Sequence, residues 1–71
     1  MTNGMKREAL VQLQIAECAA TTASSQVKEA SHRLLSLGDE SLVQEATSLI
    51  QELDKISERL RILKGKIVLL S

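Results

Sequence analysis

Besides two methionines, one histidine and one cysteine are the only side chains here whose chemistry goes beyond that of hydrocarbons, carboxylates, cations, amides and hydroxyls. His32 has Glu29 one helical turn before it, but no second histidine or cysteine stands at a spacing that would complete a metal site. Cys18 has no lysine or arginine within helical reach to stabilise its thiolate, so it reads as a small apolar residue. The glycines at positions 4, 38 and 65 are too far apart for a phosphate-cradling loop. Arg59, Arg61, Lys64 and Lys66 could meet phosphates, but there is no aromatic residue on which a base could stack. Nine basic side chains are also matched by nine acidic ones, so the cluster reads as a solvated helix end. The expectation is no catalytic residue, no cofactor, no metal and no nucleic-acid partner.

The elements behind these residues are helical. Proline is absent, and the strongest punctuation is "SLGDES", Ser36 to Ser41. Gly38 suits the left-handed position that closes a helix, Asp39 or Ser41 can cap the next one, and Glu40 favours its positive end. The spacing predicts an all-α antiparallel hairpin within one domain, 1–71, with helix 1 over about 5–36 and helix 2 over about 40–69. The weak stretch Thr21–Ser25 leaves open an interruption of helix 1, although the flanking periodicity favours one long helix.

In helix 2, Leu42, Ala46, Leu49, Leu53, Ile56, Leu60, Leu63, Ile67 and Leu70 recur at alternating spacings of four and three. Helix 1 repeats the rhythm with smaller residues: Leu13, Ala16, Ala20, Ala23, Val27, Ala30, Leu34 and Leu37. Folding at Gly38 sets Ala16 against Leu60, Ala20 against Ile56, Ala23 against Leu53 and Val27 against Leu49. Ala30 meets Ala46 near the turn. Small against large is what a filled seam between two helices requires.

More apolar residues exist than one seam can use. Val11, Ile15 and Cys18 form a stripe on the far face of helix 1, while Val43, Ile50, Ile62, Val68 and Leu69 flank or leave the seam of helix 2. A second stripe at helical spacing reads as a candidate partner interface. A chain of 71 residues with a single cysteine has no internal disulfide and little core, so docking on a protein partner or a homo-oligomer of the chain alone is expected. The longest apolar run, Ile67 to Leu70, is far too short to cross a bilayer, and the first residues lack a signal-peptide core. No membrane insertion and a cytoplasmic location are expected.

Two stretches resemble known families. "IQELDKI", Ile50 to Ile56, resembles the SQELD segment of the helical-hairpin aspartyl-phosphate phosphatases of the sporulation phosphorelay, with Ile50 in place of the serine. That likeness would give Glu52 and Asp54 a role on a phosphoaspartate; the alternative is an ordinary heptad. "LLSLGDESLVQEATSLIQELDKISERLRIL", Leu34 to Leu63, is similar to the E component of type III secretion needle-chaperone complexes, the YscE-like family. It shares the layout of a Gly-Asp turn followed by a helix rich in Gln and Leu, and lacks the aromatic residues that several members carry in that helix. The resemblance implies a bacterial virulence co-chaperone that pairs with a tetratricopeptide-like partner, the G component, and keeps the needle subunit soluble before export. A homodimeric helical-bundle regulator is the further alternative.

Overall fold

A computed structural model of the protein describes the backbone of residues 2–70 and the side chains of residues 4–70. The fold is an all-α hairpin of two helices packed against each other: α1, Thr2–Leu37, and α2, Glu40–Val68. Its Cα atoms span 56 × 14 × 10 Å.

Helix α1 is continuous through Thr21–Ser25. Two of the four hydroxyls there find partners without unwinding the backbone. Thr21 Oγ1 donates to the Glu17 carbonyl at 3.0 Å, and Ser24 Oγ donates to Asp54 Oδ1 across the hairpin at 3.0 Å.

The turn between the helices is two residues long. Gly38 adopts φ +75°, and its N–H donates to the Leu35 carbonyl at 3.1 Å. Asp39 is extended, and its carboxylate accepts from the Leu42 N–H at 3.2 Å, which caps α2. At the open end, Lys6 Nζ donates to the carbonyls of Val68 at 3.2 Å and Leu70 at 2.5 Å. The cation thus sits where the last carbonyls of α2 lack helical partners.

The two helices meet along a seam that differs by one step from the sequence expectation. On α1 the inward positions are Leu10, Leu13, Glu17, Ala20, Ser24, Val27, Ser31 and Leu34. On α2 they are Val43, Ala46, Ile50, Leu53, Ser57, Leu60, Lys64 and Ile67. Among the described residues, Ala20, Ser24 and Ala46 are the buried ones, with Ser24 only 4% exposed.

Leu13, Ala20, Val27, Leu34, Ala46, Leu53 and Leu60 keep their expected places. Ala16 and Ala23 are half-buried at the seam's flank, and Ala30 is exposed. Leu49, Ile56 and Leu63, expected inside, are exposed. Val43 and Ile50, expected on the outer interface, are half-buried in the seam.

The cause is the set of polar contacts across the hairpin. Ser24 with Asp54, Gln14 with Lys64 and Glu17 with Arg61 each sum to 78 in residue number. The inward layers beside those contacts sum to 77, one step less: Ser24 lies opposite Leu53, Val27 opposite Ile50 and Glu17 opposite Leu60. Successive residues lie about 100° apart around a helix. Turning each helix to bring these polar residues inward therefore carries the neighbouring alanines and leucines to one side.

Candidate interaction surface

The hairpin has two unlike flanks. One is polar and cross-linked. Glu17 forms ion pairs with Lys64 and, at 3.8 Å, with Arg61; Lys64 Nζ also donates to Gln14 Oε1 at 2.6 Å. Hydrogen bonding from Lys64 is the main reason that the Glu17 carboxyl lies below its ordinary range, with the charges of Lys64 and Arg61 adding and desolvation opposing. Further along, Thr21, Ser24, Lys28, Asp54, Ser57 and Arg61 line a small polar hollow on the same flank.

The opposite flank is apolar from end to end. Along α2 and just past its end, Leu42, Leu49, Ile56, Leu63 and Leu70 follow each other at intervals of seven and are 39% to 62% exposed. On α1 the matching positions are Ala9, Ala16, Ala23, Ala30 and Leu37, again seven apart. Ile56, Leu60 and Leu63 share a shallow groove with Arg59, Ile62 and Lys66. The strongest apolar stripe of α2 therefore faces outward beside the seam, while a glutamate, a lysine and three serines lie in the seam itself. Burying leucines in place of these polar groups would be favourable by about 25 cal/mol per Å². An isolated hairpin gains nothing from the arrangement; a hairpin with its flank covered does.

The accessible area says the same. It is 5654 Å², whereas a compact monomer of 7.8 kDa exposes about 4,400 Å². Much of the excess is what a rod two helices wide cannot hide from water.

The remaining candidates separate into groups. Val11, Ile15 and Cys18 are exposed together on the outer face of α1, as expected. Ile62 and Val68 on α2, and Leu69 at its C-cap, are exposed away from the 42–49–56–63–70 stripe. His32 is exposed on α1. Among the described residues, no three His, Cys, Asp or Glu side chains gather to hold a metal ion. Glu52 and Asp54 are two residues apart, so they leave α2 about 200° from each other; Asp54 joins the polar flank and Glu52 borders the apolar one. Among the described residues, no helix is long and apolar enough to cross a membrane.

The spacing makes the 42–49–56–63–70 stripe visible but points it to the internal seam. Only the polar pairing across the hairpin reveals that it faces out. Comparisons with protein-family models, curated proteins and solved structures find no match for this chain.

Proposed function

We propose that this hairpin is a non-enzymatic co-chaperone of a bacterial type III secretion system. It pairs in the cytosol with a tetratricopeptide-like partner, and the pair keeps a needle subunit soluble before export. The observation that carries the reading is the exposed stripe of Leu42, Leu49, Ile56, Leu63 and Leu70. A helical partner would cover it and stabilise the marginal hairpin by mass action. The resemblance of Leu34–Leu63 to the E component of needle-chaperone complexes supplies the identity of that partner.

The phosphatase alternative departs from its motif at the first position, where Ile50 stands in place of the serine. Nothing in the hairpin favours it over a surface role.

The test is reconstitution. The chain is mixed with a tetratricopeptide-like needle co-chaperone and its needle subunit, then sized by light scattering. A complex containing all three chains, with the needle subunit held unpolymerised, is the expected result. Ile56→Glu should weaken assembly more than tenfold, while Ile15→Glu tests the smaller outer stripe. Failure of the chain to join the complex at tens of micromolar would overturn the reading.

A further inference from the structure

We infer that the apolar flank is a self-complementary surface, and that in the absence of another partner it closes on a second copy of this chain to form a four-helix bundle. The inference concerns the chain alone and does not rest on the co-chaperone reading.

Three features point to a second copy. The first is shape. The flank is divided lengthwise into a stripe of alanines on α1 and a stripe of leucines and isoleucine on α2, both repeating every seven residues. A two-fold axis parallel to the helices lays α1 of one copy against α2 of the other, running antiparallel at equal heights. Ala16, Ala23 and Ala30 then face the larger stripe of the partner, and the reverse contact follows by symmetry. Large fills small twice over, which two unlike proteins would have to evolve separately.

The second feature is the direction in which the apolar arcs point. On each helix the apolar arc as a whole is centred between the seam and the flank: Leu53, Ile56, Leu60 and Leu63 on α2, and Ala20, Ala23, Val27 and Ala30 on α1. Such an arc aims at the corner between the neighbouring helix and the open side. In a four-helix bundle that corner is the central axis.

The third is the rim. Beyond the stripes, α1 carries Gln12, Ala19, Gln26 and Arg33, and α2 carries Glu45, Glu52, Arg59 and Lys66. At equal heights Arg33, which also pairs with Glu29 one turn before it at 3.3 Å, meets Glu45 of the second copy, and the neutral α1 residues meet the other charges. No like charges are opposed, and the chain's net charge is zero, so copies do not repel.

Size is sufficient. A face with Cα extents of 56 by 14 Å projects to about 780 Å², near the roughly 800 Å² per partner of a standard interface. The same stripe cannot hold a second copy and a helical partner at once, so self-association would compete with any complex formed through it.

The experiment is light scattering on the purified chain over a concentration series, beside circular dichroism. A mass twice that of the chain at tens of micromolar is expected, with Ile56→Glu raising the dissociation constant at least tenfold. Because that variant also loses helix if folding and association are coupled, the exposed rim supplies a second measurement. Arg33→Glu and Glu45→Arg should each weaken the dimer about 3- to 30-fold, since the pair occurs twice and exposed pairs contribute modestly. The double variant should restore it. A monomer at every concentration, or a dimer whose rim variants do not compensate, would overturn the arrangement. A monomer that still joins a tetratricopeptide partner leaves the co-chaperone reading standing; a dimer that ignores such a partner overturns that reading alone.

Discussion

Gly38→Ala is the substitution whose cost follows most directly from the backbone. Gly38 sits at φ +75°, in the left-handed region. No heavy atom lies within 4 Å of where a Cβ would be added, so steric collision with neighbours contributes nothing. What remains is conformational. Holding an L-residue in that region costs about 1–2 kcal/mol, while alanine's narrower unfolded ensemble returns about 0.4–1 kcal/mol. The net is about 1 kcal/mol per chain, or a fall in melting temperature of about 4–8 °C for a domain of this size. Gly38→Asn should lose about half as much, because asparagine visits the left-handed region more readily. The assay is thermal and urea unfolding by circular dichroism, with protein concentration held fixed across variants. An alanine variant as stable as the parent, with asparagine no better than alanine, would refute the reasoning. A loss above about 3 kcal/mol would refute it too, by showing that contacts rather than backbone strain govern the turn.

Other substitutions probe the seam. Leu53→Ala, opposite Ser24, should cost about 2 kcal/mol, the lower end for a core leucine because the site is half-buried; Ile15→Ala on the outer face should cost under about 0.5 kcal/mol in the same urea titration. Ser24→Ala should fall within about 0.5 kcal/mol of the parent, since helix propensity offsets the lost hydrogen bond, whereas Asp54→Ala should cost more by leaving a buried hydroxyl without its partner. Glu17 gives the hairpin an acid limit. Its folded carboxyl titrates below the ordinary 4.5, so the stabilisation is complete above that pH and is lost as pH falls through the folded value. Melting temperature against pH should therefore drop less steeply below 4.5 in Glu17→Gln than in the parent.

The turn, a cap at Asp39 or Ser41 and the helical period were all readable from residue types, because Gly38, the capping side chains and the leucine spacing each act locally; the contact with the Leu42 N–H fixes the cap as Asp39. The rotation of the helices was not. Ala16 and Glu17, Ala23 and Ser24, Ala30 and Ser31 are adjacent pairs, and either member of each fits a spacing of three and four. A single helix's pattern points to the middle of its apolar arc. The contact between two helices settles wherever both sides can be satisfied together, and here Glu17 with Lys64 and Ser24 with Asp54 decide it. Those pairs join residues thirty or more positions apart, and no local pattern announces them. The outer trio Val11, Ile15 and Cys18 was legible because it lies opposite the seam in either rotation.

The clasp of Lys6 on the last carbonyls of α2 has a mechanical consequence. It places the first turns of α1 beside the end of α2, so a force that draws these two helix ends apart peels the hairpin like a zipper instead of shearing its whole length. Each opposed layer is loaded alone, from Leu10 with Ile67 down to Leu34 with Val43, and the Gly38 turn is the last to feel tension. A motor that grips either end meets a small resistance repeated many times, never the sum.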